Sequence, residues 1–216
     1  MEKVYGNTEE EWDERFAPQG QWEGAGHCAQ TALFMEAIVS ALPADLSPTR
    51  FFAQHSRKPT AVDIGCALGD GVPILQRAGF EAYGLERSPV AVEYASRRFP
   101  QCRFAEGATP ETFTDYAFCS NVLEHVDDYM GFLCALLYKA DYVVILVPWQ
   151  EDETALTCDH VHSFGPQSFP QFIEYPARPC RGNSTWDRIH EQWVSVAPDV
   201  WYQPQYLAVY RSRGLG

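Results

Sequence analysis

The 216 residues carry 16 basic and 29 acidic side chains, a formal charge of −13, with 46% hydrophobic and 14% aromatic residues. So acidic a chain is repelled by phosphate backbones, which argues against nucleic acid as a partner, and its apolar content is enough for a full core, which excludes global disorder. Seven cysteines without a Cys-x-x-Cys pair, the lack of a long apolar run and an acidic beginning speak against a disulfide framework, a thiolate zinc site, a membrane span and a signal peptide; a reduced, soluble, cytoplasmic protein without a membrane partner is expected.

Cys28 to Leu42 places Leu33, Phe34, Ala37, Ile38, Ala41 and Leu42 at helical spacing, ended by Pro43, and predicts a helix before the first strand. Thr60-Ala-Val-Asp-Ile-Gly65 is short, apolar and β-branched and runs into a glycine cluster, the pattern of a buried strand entering a tight turn. Asp70 is suited to cap the helix that follows, Pro73 is tolerated in its first turn, and Gly79 stands where a left-handed terminal residue is wanted. Glu81 to Glu86 predicts a second strand, and Ser88-Pro89 starts a helix that Pro100 stops.

Two further strands are expected at Cys102 to Ala105 and Tyr116 to Asn121, with Thr109 to Asp115 too short for more than about two helical turns. From Asp127, Met130, Leu133, Cys134 and Leu137 fall on one helical face, leading into the apolar strand Asp141 to Val147. Beyond Pro148 the chain is loop-rich and then offers Ile189 to Ala197 and Tyr206 to Arg211 as an antiparallel pair. Strands alternating with helices imply parallel pairing through right-handed crossovers, hence an open α/β sheet covered on both faces.

In such a sheet a ligand sits beyond the carboxyl ends of the strands, usually beside the first. The turn there, Gly65-Cys-Ala-Leu-Gly69-Asp-Gly71, does not have the G-x-G-x-x-G spacing of dinucleotide sites. It resembles the first motif of class I S-adenosylmethionine-dependent methyltransferases of the small-molecule type: Asp63, Gly65 and Gly69 match, and Ala67 stands where the pattern has its middle glycine. Glu86 ends the second strand 21 residues after Gly65, where a carboxylate can accept ribose hydroxyls, and Cys119-Ser-Asn-Val-Leu-Glu-His-Val126 looks like the fourth-strand motif. The resemblance covers residues 60 to 148. It departs from the family at Glu106-Gly-Ala108, which lacks the acid that holds the adenine amino group in many members, and at Tyr138 to Asp141, which replaces a Pro-Gly-Gly turn.

The resemblance implies a Rossmann-like, open, mostly parallel seven-stranded sheet with helices on both faces, an antiparallel C-terminal hairpin and an N-terminal helical cap. It implies one domain over 1–216, divided into a cap or lid (1–58), a cofactor-binding core (59–148) and acceptor-side loops with closing strands (149–216). The cofactor implied is S-adenosyl-L-methionine. Asp63, Gly65, Cys66 and Ala67 would cradle its methionine part through backbone, Glu86 its ribose, and Asn121, Val122 and Leu123 the far wall, with Gly69 and Arg87 also among the cofactor-binding residues. The stretch from Trp12 to Gly24 is similar to lids of small-molecule methyltransferases, with Trp22 covering the cofactor and Arg15 reaching its carboxylate. Both also suit plain packing of the cap, since an indole shields apolar surface and a guanidinium grips any carboxylate.

Methyl transfer to oxygen or nitrogen often needs a proton removed near neutral pH. His125 follows the fourth strand, and His160 and His162 follow the fifth; all three are candidate bases, and of His160 and His162 just one is expected to point inward. His160 with Glu124, Asp128 or Asp159 could hold a divalent cation, but that spacing is unspecific and no metal is expected. Cys66 stands at a helix-facing turn where a thiolate can be stabilised, and equally serves as a small packing residue. No G-x-S-x-G elbow or G-x-x-x-x-G-K-[ST] loop occurs, which removes hydrolase and phosphate-loop chemistry.

The expected activity is methylation of a small or medium-sized metabolite, at a hydroxyl. The alternative is a non-catalytic S-adenosylmethionine-binding or interaction protein of the same fold; a nicotinamide-dependent reductase fits the glycine spacing poorly. The acceptor pocket is expected from the cap, the loop after Pro148 and the aromatic residues Phe164, Phe169, Trp186 and Trp201, and the apolar cap could serve a homodimer. Residues 1 to 15 hold six acids against two bases, and Glu151, Asp152, Glu153 and Asp159 add four. Acids at the site's mouth favour a neutral or cationic acceptor.

Overall fold

In the computed structural model, which describes residues 7–17, 25–151, 159–174, 185–196 and 204–212, the glycine-flanked core follows the apolar pattern of the sequence. Strand β1 (Thr60–Ile64) leads through the glycine turn into helix α4 (Gly71–Ala78), preceded in the chain by α1 (Glu9–Phe16), α2 (Ala25–Ala41) and α3 (Pro48–His55). Gly79 ends α4 at φ 111°, where its N–H meets the carbonyls of Gln76 and Leu75; a side chain there is strained because Cβ crowds the carbonyl. Asp70 does not cap α4 as expected. Its backbone is already helical and its carboxylate accepts instead from Arg98 at 2.7 Å.

Strand β2 (Glu81–Glu86) is followed by α5 (Pro89–Arg98), whose first turn is capped by the Ser88 hydroxyl accepting from the Ala91 N–H at 3.1 Å, with proline at the first helical position. Strands β3 (Arg103–Glu106) and β4 (Thr114–Ser120), helix α6 (Tyr129–Leu137) and strand β5 (Ala140–Pro148) complete the parallel half. Helix α6 begins two residues later than Asp127, because Asp128 accepts from the Gly131 N–H at 2.9 Å and so becomes the cap. Strands β6 (Phe172–Glu174), β7 (Thr185–Val194) and β8 (Gln205–Ser212) follow.

The sheet order is β3-β2-β1-β4-β5-β8-β7-β6. The first five strands run parallel, β8 joins β5 antiparallel, and β7 and β6 continue antiparallel. The expected architecture holds with eight strands rather than seven: β6 is three residues long, and its pairing of Ile173 with Trp186 gives no periodicity to read in sequence. Chain order reverses between β1 and β4, which in sheets of this kind is where a ligand sits, beyond the carboxyl ends of the strands.

The sheet is buried on both faces, and alternate residues serve opposite layers. Tyr116, Phe118, Val144 and Leu146 pack with Phe34, Met35, Ile38, Val72 and Leu75 of α2 and α4, whereas Ala117, Cys119, Val143, Ile145 and Val147 pack with Leu133, Cys134 and Leu137 of α6. Each such side chain removed from water contributes about 1.5–3 kcal/mol before chain entropy is counted. Phe164, Phe169 and Trp186 belong to this second layer and are at most 1% exposed. They build the core and do not line an acceptor pocket as expected; Trp201 lies outside the described residues.

Helix α1 is held by a capping box in which the Thr8 hydroxyl accepts from the Glu11 N–H and Glu11 accepts from the Thr8 N–H. Its Asp13 accepts from the Ser88 hydroxyl at the start of α5, and Phe16 packs with Ala67, Leu68 and Ala91. The helix therefore lies across the glycine turn. No described helix is long and apolar enough to cross a membrane.

Candidate active site

The turn after β1 is shaped by three left-handed residues, Gly65 (φ 66°), Ala67 (φ 48°) and Gly69 (φ 88°). A Cβ on Gly65 would stand 2.5 Å from Cγ2 of Val122, so the loops after β1 and β4 close on each other only with glycine there. Ala67 takes a conformation that costs an L-residue about 1–2 kcal/mol, at the position where the motif has glycine.

What holds Ala67 there is Glu86. The Glu86 carboxylate accepts from the Ala67 N–H at 2.9 Å, from Arg87 N–H at 2.7 Å and from Ser88 N–H at 3.1 Å. Burial raises its pKa, and these N–H donors oppose the rise. Asp63 is buried, and its Oδ2 has no hydrogen-bond partner. Burial, with the Glu86 and Asp70 charges adding to it, pushes the Asp63 carboxyl up to about 8. The Cys66 thiol is pushed further from ionisation by burial and by Asp63 and Glu86. It is a packing residue, and only its backbone can serve a ligand.

A second polar group lies at the carboxyl ends of β4 and β5. Leu123–His125 forms a short 3-10 turn after β4, and Glu151 and residues 159–162 follow β5. His125 Nδ1–H donates to the Asp159 carbonyl at 3.0 Å, and His160 Nδ1 meets Glu151 Oε2 at 2.7 Å. The two rings stand edge to face with centroids 4.8 Å apart, and one ligand atom from each of Glu124, His125 and His160 lies within 4.8 Å of the others.

Burial sets the ionisation of two of these groups and is overcome at the third. It pushes Glu124 up to about 8, against the pull of His160. It pushes His125 down to about 4, although Asp159 draws the other way. It would lower His160 as well, but the Glu151 carboxylate, with Glu124 and Asp159, outweighs it and raises that pKa.

Helix α1 roofs this cluster as well. Trp12 stands edge-on to His125 at 5.2 Å, and Arg15, 1% exposed, donates to Asp159 Oδ2 at 2.7 Å while its guanidinium lies 4.3 Å from the Trp12 ring. Arg15 is thus spent partly on Asp159, not free for a ligand carboxylate alone. Trp22 lies outside the described residues. His162 is turned away: its Nε2–H donates to the Val126 and Asp127 carbonyls at 2.9 and 3.0 Å, and its ring packs on Tyr129 and Phe164. It fastens the loop to the start of α6, which leaves His160 as the inward member of the pair.

Arg87 donates from its side chain to the Asn7 carbonyl at 3.1 Å. Asn121 is left-handed (φ 52°) and continues the β4–β5 ladder, its N–H meeting the Leu146 carbonyl at 2.8 Å. Glu151, noted in the sequence only as an acid at the site's mouth, is the partner of His160 in the second cluster; it stands nine positions before His160 in the chain, and no spacing rule predicts their contact.

No curated protein sequence matches the chain. The structure is similar at 14% identity to magnesium protoporphyrin IX methyltransferase from Synechocystis PCC 6803 with bound SAH, over 85% of this chain and 84% of that one with a TM-score of 0.59. It is similar at 11% identity to a chain of the Haloferax volcanii complex between the Trm112 methyltransferase activator and a methyltransferase, over 94% and 98%, with a TM-score of 0.64. A third likeness is to Haemonchus contortus phosphoethanolamine N-methyltransferase 1, at 16% identity over 96% of this chain and 48% of that one, with a TM-score of 0.58. These show the fold. The profile of the methyltransferase-domain family matches residues 35–180, spanning the glycine turn, Glu86 and the β4 turn, and the chain therefore belongs to that family as a class I S-adenosylmethionine-dependent methyltransferase.

Proposed function

We propose that this protein methylates a hydroxyl of a small, neutral or cationic metabolite. The observation that carries the reading is the placement of Glu124, His125 and His160 beside the turn that suits the cofactor, with α1 touching both: Phe16 on Ala67 and Leu68, Trp12 on His125. The residues present fit S-adenosylmethionine. A glycine turn too tight for a Cβ admits close backbone approach, the unpartnered Asp63 Oδ2 suits an ammonium group, and the fixed Glu86 carboxylate retains lone pairs for hydroxyl donors.

When bound, that cofactor supplies a methyl group on a sulfonium, which leaves as a neutral thioether. The chain has then to orient the acceptor and exclude water, which is where enzymic methyl transfer gains most of its rate. Trp12 and Phe16, stacked at 5.6 Å, shield the crevice, and the histidines with Glu124 handle the hydroxyl proton. The carboxylates of Glu151 and Asp159 beside them disfavour an anionic acceptor. The test is incubation of metabolite fractions with the purified chain and methyl-labelled cofactor. Label on a hydroxyl-bearing small molecule supports the reading; cofactor binding without transfer to any fraction would overturn it in favour of a binding protein.

A further inference from the structure

We propose that Glu124, His125 and His160 form a binding site for a first-row divalent cation such as Zn2+. Three ligand atoms of these residues already lie within 4.8 Å of one another, although they come from the β4 turn and from a loop beyond β5. Two imidazoles and one carboxylate with a position left open is the donor set of catalytic zinc and of non-haem iron centres.

The surroundings of the three residues are those a cation needs. A metal-binding histidine commonly donates its other ring N–H to a carboxylate or a backbone carbonyl, which fixes the ring and leaves one lone pair for the metal. Both histidines here meet that condition. The Asp159 carbonyl can only accept, so His125 Nδ1 carries the proton; His160 Nδ1 faces the Glu151 carboxylate at 2.7 Å. Nε2 of each ring is left for a ligand bond.

Glu124 is 1% exposed, and its Oε2 has no hydrogen-bond partner; Glu151, 5% exposed, likewise has Oε1 unpartnered. Buried carboxylate oxygens without donors are costly, and a cation at this place satisfies the first directly. Glu151 and Asp159 stand beside Glu124, Asp159 paired with the Arg15 guanidinium and Glu151 with His160, so a dication also offsets the local negative charge.

The inference deepens the methyltransferase reading and rests on it for its purpose: an acceptor hydroxyl at the open position of the cation would lose its proton to water at a lower pH than in solution. Metal binding itself is tested without any acceptor. The full chain, stripped by a chelator and dialysed, is titrated with Zn2+ by calorimetry and with Co2+ in a visible spectrometer. The expected result is one cation per chain, micromolar or tighter, and cobalt ligand-field bands of nitrogen and oxygen ligation.

Glu124→Gln and His160→Gln are each expected to weaken Zn2+ at least about tenfold, and Glu151→Gln roughly 10- to 100-fold through loss of the group that orients His160. His55→Ala, exposed on α3, should leave Zn2+ affinity unchanged. Absence of cobalt bands in the unsubstituted chain, or Zn2+ binding undiminished by both changes at 124 and 160, overturns the proposal; the cobalt spectrum decides even where a substituted chain does not fold. S-adenosylhomocysteine binding, measured alongside, separates the two readings. Homocysteine-form binding without metal binding sinks the cation site alone, and stoichiometric metal binding without it supports the site while removing its methyltransferase purpose.

Discussion

The carboxylate of Glu86, at the end of β2, accepts the N–H of Ala67 at 2.9 Å, joining the second strand to the turn that follows the first. The other carboxylate oxygen is held by the N–H groups of Arg87 and Ser88, and Ser88 in turn donates to Asp13 of α1. One acidic side chain therefore sets the turn, the start of α5 and the seat of α1. Glu86→Ala removes hydrogen bonds to a charged acceptor, each worth roughly 1.5–3 kcal/mol. The expected outcome is a loss of about 100-fold or more in S-adenosylhomocysteine affinity by calorimetry, corresponding to about 3 kcal/mol. Unchanged affinity in a folded variant would remove Glu86 from the cofactor site.

Ala67 is left-handed at φ 48°, and its methyl group is accommodated among Phe16, Leu68 and Ala91. Replacing it by glycine removes a conformational cost of about 1–2 kcal/mol and adds unfolded-state freedom worth about 0.4–1 kcal/mol. Ala67→Gly should therefore be neutral to about 1 kcal/mol stabilising in urea melts and should retain cofactor affinity. A loss above about 1 kcal/mol would mean that the methyl group's packing outweighs the strain.

The parts of this molecule that local chemistry decides were legible in its residues. Glu81 to Glu86 and the Ser88-Pro89 helix start need only apolar alternation and a cap, and they form where expected. Gly65 and Gly69 need only a turn, and they are left-handed. The N-terminal elements carry signals of the same kind: Thr8 to Glu11 is a capping box, and Ser47-Pro48 repeats the start of α5. Long-range contacts are another matter. Nothing in the spacing pairs Glu151 with His160, sends Arg15 to Asp159, or turns His162 toward Val126 and Asp127, because each depends on the path of a loop. For the same reason Asp70 looked like a cap until Arg98, 28 residues on, supplied a stronger partner.

Asp63 is expected to make cofactor binding depend on pH. Its carboxyl is pushed up to about 8 by burial and by the nearby Glu86 and Asp70 charges, so the folded protein keeps a proton there that the unfolded chain releases at about 4. The folded state then binds more protons between those values, and stability falls as pH rises through that window, reaching its full penalty above about 8. Asp63→Asn should remove this dependence and melt higher than the parent at pH 8.5, with the advantage vanishing at pH 4. An ammonium ligand requires the ionised carboxylate, so S-adenosylhomocysteine should bind the parent more tightly at pH 8 than at pH 6. Equal affinities at the two values would dissociate Asp63 from the ligand's ammonium group.

At the far end of β1, Asp115 offers a contrast in sign. Burial tends to raise its pKa, but it accepts from both terminal nitrogens of Arg57 at 2.6 and 2.7 Å and from the Thr60 N–H and hydroxyl at 2.7 and 2.8 Å, and the net effect is a lowered pKa. A depressed carboxylate stabilises the fold above its unfolded pKa of about 4, and the contribution is lost as pH falls below that value. Arg57 is more than half exposed, so solvent screening limits the pair and Arg57→Ala should cost only about 1 kcal/mol. Asp115→Asn should cost more, roughly 2–3 kcal/mol, because two donors of Thr60 lose a charged acceptor inside the fold. Urea melts at pH 7 and pH 3 decide it: the difference between parent and Asp115→Asn should shrink at the lower pH. A difference independent of pH would assign the loss to packing, and neither variant should alter cofactor affinity, since the pair lies at the opposite end of β1 from Asp63 and the glycine turn.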